Sequence, residues 1–288
     1  MNGPIAQAVA LTCHANGRLS SRASASFFPQ NSTCQFCRSV SFVAVEPQSG
    51  GNPRELPVAS SPDEWFSLLE KERATGVELH HGPGQSQGAP ERKLAGFVGG
   101  GGEYSLTALG PEESTLWMAR WQVADRRAAD KRIWEVTYGR VASVRPAPLV
   151  PNDLASTTHR LETALIDITA FAEGHALDGF ARLFRQALAC LREPGAEHDV
   201  YHRDLAPAGV LPAAASALLG ACQSAWVFGG MGSWNDMGFD GQDGVEYDRV
   251  SESLYAALVN AIPAGANASV SDGGPPRAVD EYVARALD

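Results

Sequence analysis

Two short stretches in the second half of the chain carry side chains whose types and spacing could do chemistry. The first is Glu197-His198-Asp199, followed by His202 and Asp204. His198 and His202 sit four apart, a spacing that chelates a metal only on a helix. Pro194-Gly195 before them and Pro207 after them predict a loop instead, so the expectation is a polar connection or a helix cap supplied by Asp204. The second stretch runs from Trp226 to Asp236 and joins two tryptophans to three glycines and a polar end, Ser233, Trp234, Asn235 and Asp236. Large aromatics beside backbone-permissive glycines build either a ligand pocket or a packed corner between helices. Trp226, Ser233, Trp234, Asn235 and Asp236 are therefore the candidate binding residues. Glu197, His198, His202 and Asp204 form an alternative site.

Other chemical signals are less complete. Tyr201-His202-Arg203-Asp204-Leu205-Ala206-Pro207 resembles the catalytic loop of protein kinases, in which the aspartate accepts the substrate hydroxyl proton. The likeness stops within seven residues. Gly209 stands where the metal-binding asparagine belongs, and Val227-Phe228-Gly229 lacks the magnesium-binding aspartate. Without both ligands the phosphates of ATP cannot be held. Gly99 to Gly102 could approach a phosphate, but the run leads into a strand-like Glu103-Tyr104-Ser105 rather than a helix N-terminus, so a turn is expected. Cys34-Gln-Phe-Cys37 is a C-x-x-C with Cys13-His14 upstream, but an adjacent Cys-His pair chelates zinc poorly, and no βαβ pattern surrounds the motif. Asp240, Asp243 and Glu246 lack the order of a calcium loop. Cys190 and Cys222 fall in helical apolar patterns and read as buried thiols. No metal or other cofactor is expected.

The elements that would position these residues divide the chain into three. Residues 1–53 hold no acid before Glu46, although the chain has 33 acidic residues; they carry Arg18, Arg22 and Arg38 and are rich in serine. That composition fits an organellar transit peptide or a start codon set too far upstream, and under either the segment is expected to lie outside the fold, with Glu46 to Ala59 as linker.

Residues 54–148 are expected to form a small antiparallel sheet with one helix. Ser61-Pro62-Asp63-Glu64 supplies a cap, a proline at the first helical position and a capping-box glutamate ahead of Trp65, Leu68 and Leu69. Strand patterns follow at Val77–His81, Lys93–Val98, Glu103–Leu109, Thr115–Ala124 and Arg132–Val141, with Gly82–Arg92 as a loop. The last two strands form a hairpin whose tryptophans suit core packing against the Trp65 helix. Beyond the breaker Pro146–Pro151, residues 149–288 predict a helical, bundle-like half. Its apolar stripes are Leu154–Phe171 capped by Asn152, Phe180–Leu191, Val210–Trp226, Tyr247–Ile262 closed by Pro263, and a short fifth at Ala278–Leu287.

The expected class is thus α+β. A net charge of −10 argues against a general nucleic-acid surface, and no apolar run approaches the roughly 20 residues needed to span a bilayer. Five cysteines, an odd number, argue against a disulfide framework and for a reducing, intracellular setting, the cytoplasm or an organelle matrix. The functional expectation is a soluble binding or interaction protein with an unknown protein or small-molecule partner. The alternative is a hydrolase-like or metal-assisted enzyme built from the 197–204 and 229–236 loops.

Overall fold

A computed structural model of the chain describes residues 1–23, 25–48, 52–82, 84, 90–97, 100–144 and 153–270. The Pro146–Pro151 breaker, the Asn152 cap, the 278–287 helix, and Val98 and Gly99 lie outside them. The class is α+β: a six-stranded mixed sheet with seven α-helices among the described residues.

The largest departure from expectation is the N-terminus. Gly3–Leu19 is helix α1, capped by Asn2, whose side chain accepts the Ile5 N–H at 3.1 Å. Ile5, Val9, Leu11, Cys13 and the alanines between them are buried, on every side of the helix. A helix enclosed all round has neither an amphipathic period nor charge. Its composition therefore resembles that of a leader. Cys37–Glu46 then forms β1, so this segment is part of the fold and not an appendage.

Strand β2 (Arg54–Ala59) lies within the expected linker. It pairs antiparallel with β1 at the sheet edge, where Pro57 is tolerated. Helix α2 (Pro62–Lys71) begins as its sequence implies: Ser61 Oγ accepts the Glu64 N–H at 3.3 Å, and the Glu64 carboxylate accepts the Ser60 N–H at 2.8 Å. Strand β3 (Gly76–Gly82) follows. The expected strand at Lys93–Val98 is instead a short helix, α3 (Glu91–Leu94), drawn inward by Arg92. Buried Arg92 pairs with Asp248 and, at 2.6 Å, with Glu252, and lies over the Tyr247 ring. Strands β4 (Glu103–Leu109), β5 (Ser114–Val123) and β6 (Trp134–Val144) complete the sheet in the order β2-β1-β6-β5-β4-β3.

The sheet is not the small antiparallel unit expected, because β1 lies parallel to β6 in its interior. The β5–β6 hairpin forms with a bulge at Leu116/Trp117 that brings Trp117 into the core. There Phe42 of β1 stacks on Trp65 at 4.7 Å, and Trp117 meets both edge-on at 5.8 Å. Trp121 and Trp134 pack against each other farther along the hairpin.

The other edge strand, β3, is closed by two asparagines. Asn16 of α1 accepts the Val77 N–H at 2.7 Å and donates to its carbonyl at 2.8 Å; Asn267 does the same for Leu79 at 2.7 and 2.9 Å. Each amide thus stands in for a peptide group of a missing neighbouring strand and blocks edge-to-edge pairing.

Four longer helices follow: α4 (Leu154–Gly174), α5 (Asp178–Arg192), α6 (Ala213–Ala225) and α7 (Gly241–Asn267). Asp153 caps α4 through the Ser156 N–H. Helix α7 does not stop at Pro263. Ala264, Gly265 and Ala266 are buried beyond it, and Asn267 is held on β3. These helices are not a separate bundle, because α7 packs on β3 and one cluster of buried residues runs through sheet and helices alike. No helix among the described residues is long and apolar enough to cross a membrane.

Candidate functional site

A polar hub lies where β3 ends and β4 begins, bounded by α3, α7 and the segment after α6. Strand register sets His81 opposite Tyr104, with ring centroids 5.0 Å apart. Helix α3 brings in Glu91, whose Oε1 lies 3.1 Å from His81 Nε2 and accepts the Tyr255 hydroxyl of α7 at 2.8 Å. The other Glu91 oxygen accepts the Gly84 N–H at 3.3 Å.

Glycine is required at two points around this hub. A Cβ on Gly102 would stand 1.9 Å from His81 Nε2 and 2.6 Å from Glu91 Oε1. One on Gly96 would meet the backbone of Gly229 at 2.2 Å, so the α3 segment and the Trp226–Asp236 loop pass in direct contact.

All three titratable rings are held neutral near neutral pH. Burial lowers the His81 pKa, against the opposing pull of Glu91. Burial raises Tyr104 well above the usual phenol range and raises Tyr255, where Glu91 adds to the effect. Among the described residues, two buried donors at the hub nevertheless have no acceptor: the Tyr104 hydroxyl and the Trp226 indole Nε1. Both residues border Tyr255: Tyr104 through electrostatic contact, Trp226 with its ring 6.1 Å away. Among the described residues Trp65, Ser114 and Trp121 also carry a buried atom without a hydrogen-bond partner, whereas buried Glu78 Oε2 and His80 Nε2 lie 3.6 Å from each other. Tyr104 and Trp226 differ from these in sharing the Tyr255–Glu91–His81 network as a neighbour.

The remaining residues singled out in the sequence lie elsewhere. Trp234 is fully enclosed. Its Nε1 donates to Ser251 Oγ at 2.7 Å, and its ring meets Phe180, Phe184 and Tyr247 at 5.1, 5.4 and 5.5 Å. Ser233 donates to the Gly229 carbonyl at 3.0 Å and caps the 3₁₀ turn Trp234–Asp236. Asn235 donates to the Arg92 carbonyl at 2.7 Å, which ties the loop to α3, and Asp236 accepts the Gly232 N–H. These contacts hold a corner together.

Glu197 is exposed and pairs with Arg203 at 2.9 Å, while His198 contacts the Glu193 carbonyl. His202 is buried, its pKa lowered mainly by burial, with Nδ1 2.7 Å from Ser32 Oγ. Asp204 takes both the hydroxyl and, at 2.7 Å, the N–H of Ser32, at the start of the 3₁₀ turn Ser32–Cys34 that Asn31 caps. His198 and His202 therefore serve different partners, and the kinase-like aspartate is engaged in joining two loops. Among the described residues no hydrogen bond or ion pair links the 197–204 and 229–236 loops.

Cys13 and His14 point to Ala266 and Asp204, away from the C-x-x-C, and no cluster of three or more metal-type ligands occurs among the described residues. Sequence reasoning placed Trp226 at a site but missed His81, Glu91, Tyr104 and Tyr255, which come from four separate elements with no fixed spacing. Comparisons with protein-family models, with curated proteins and with solved structures each return no match.

Proposed function

We propose that the protein is a binding protein for a small molecule bearing a carboxylate or carbonyl oxygen, received at the hub around Tyr255. The observation that carries this reading is the pair of buried, unpartnered donors, Tyr104 Oη and Trp226 Nε1. A buried donor without an acceptor costs about 1–3 kcal/mol, and a ligand oxygen that reaches such a donor recovers that cost on binding. The rings are neutral and the Glu91 carboxylate acts on Tyr104, which favours a neutral carbonyl oxygen over a carboxylate, and the glycine contacts hold the surrounding backbone close.

The test is a melting-temperature screen of the full chain against small mono- and dicarboxylates and neutral ketones and amides. One class should stabilise the wild type, and Tyr104→Phe and Trp226→Phe should each abolish that response while leaving the unliganded melting temperature nearly unchanged. A wild type that responds to none of these compounds, or variants that respond equally, would defeat the proposal.

One observation favours a second reading, proton transfer. With Nε2–H of His81 held on Glu91, Nδ1 presents a lone pair in a neutral ring, the arrangement of an oriented general base. Deuterium exchange at the carbon next to the carbonyl of any ligand found, lost in His81→Gln, would establish it.

A further inference from the structure

The turn at the start of β1 places two thiols together in a way that the binding hub does not use. Cys34 ends a 3₁₀ turn and Cys37 opens β1; both are buried, whereas Gln35 and Phe36 between them are exposed, Phe36 to 44%. Gln7 of α1 reaches in from below, its Nε2 lying 3.7 Å from Cys34 Sγ and 3.5 Å from Cys37 Sγ. The orientation of that amide is fixed from behind, because its Oε1 accepts the Tyr138 hydroxyl at 3.2 Å and so turns the NH₂ group to the sulfurs.

The geometry points to a reversible dithiol–disulfide pair, in which Cys37 attacks a hydroperoxide and Cys34 resolves the product. The two thiols share Gln7 Nε2 as donor, and the pair is asymmetric. The neighbouring Cys34 thiol, with Gln7 and the positive charge of Arg132, holds the Cys37 thiol below its usual range in spite of burial. The Cys37 thiol in turn, together with burial, pushes Cys34 up. Cys13 and Cys222, without such a partner, are each pushed by burial up to about 12. Reactivity follows the thiolate, so one sulfur of the five is set apart as the attacker.

In the first step the Cys37 thiolate attacks one peroxide oxygen. The O–O bond breaks, the departing alkoxide or hydroxide takes a proton from water, and Cys37 becomes a sulfenic acid. In the second step Cys34 gives up its proton and attacks the Cys37 sulfur. The S–S bond forms and water leaves. Two electrons pass from the sulfurs to the peroxide, and a dithiol reductant restores the thiols by exchange.

The full-length folded chain should be treated with hydrogen peroxide, quenched, unfolded with an alkylating agent and mapped by mass spectrometry. The expected product is one disulfide between Cys34 and Cys37, reversed by dithiothreitol, with Cys13, Cys190 and Cys222 alkylated. Cys34→Ser should trap the sulfenic acid on Cys37 as a dimedone adduct, whereas Cys37→Ser should give no adduct on Cys34. The wild-type mapping stands alone if either variant fails to fold. Thiols that stay reduced in the folded chain but oxidise once it is unfolded would overturn the proposal, as would a disulfide through any other cysteine or an adduct on Cys34 in place of Cys37.

Discussion

Trp226 and Trp234 stand eight residues apart on one connection between α6 and the last helix, yet they are in opposite states. Around Trp234 every polar group has a partner. Its indole donates to Ser251, the Tyr247 hydroxyl donates to its carbonyl at 2.5 Å, and four aromatic rings, including Phe171, close over it. Trp226 is only half-buried as a residue, yet its one polar atom is enclosed with nothing to bond. Both satisfy the sequence signature of a large aromatic among glycines. What separates a packing residue from a candidate binding residue is therefore hydrogen-bond satisfaction, which depends on elements far away in the chain. Ser251 supplies it to Trp234, and nothing in the described structure supplies it to Trp226.

The largest effect that would sharpen this contrast is at Trp234. Trp234→Ala empties a site walled by aromatic rings and removes the donor to Ser251 Oγ, which keeps its own bond to the Tyr247 carbonyl, and should cost about 3–5 kcal/mol in denaturant unfolding. A near-neutral result would mean that the ring does not fill the corner, and the contrast would collapse. Effects on the Trp226 side should be far smaller. Trp226→Phe and Tyr104→Phe each delete an unpartnered buried donor and keep most of the ring, so each should change stability by no more than about 1 kcal/mol, in either direction. A loss of several kcal/mol from either would show that the atom has a structural partner after all.

The helix at Pro62, the β5–β6 hairpin and the helical stripes of α4, α5 and α6 were legible in the sequence because each buries one face and keeps its period. The N-terminal helix was not. Ile5 to Ala15 is buried all round, and an element without a polar face has no period to read. The parallel pairing of β1 with β6 joins residues nearly a hundred positions apart, and α3 owes its form to Arg92 reaching Asp248 and Glu252. The hub was hidden for the same reason. His81 is one of two adjacent histidines at a strand end, Glu91 follows a proline, and Tyr255 lies in a helical stripe that reads as core. Their chemistry exists only once β3, α3 and α7 meet.

The smallest expected effect concerns proton uptake, and it tests whether His81 is as enclosed as the hub requires. Its imidazole faces Glu91 from α3, Tyr104 from β4 and, through Glu91, Tyr255 from α7; burial outweighs the carboxylate, so its folded pKa lies below 6.5. A histidine depressed in the folded state binds its proton first in the unfolded chain. It leaves stability untouched above about pH 6.5 and lowers it as the pH falls toward the folded pKa, where the loss levels off. His14 and His202 are depressed in the same direction, also mainly by burial, so the wild type should lose stability progressively between about pH 6.5 and 5.5. That window lies above the unfolded range of the depressed carboxylates Glu55, Glu64 and Glu246, whose contributions fade only at lower pH. His81→Gln preserves an N–H donor for Glu91 but cannot titrate, and should flatten part of the slope without removing it. Melting temperatures for both proteins across the window decide the matter. Parallel curves would place the His81 proton in ready exchange with water, and a hub that wet would supply solvent oxygens to Tyr104 and Trp226, leaving them no different in kind from Trp234.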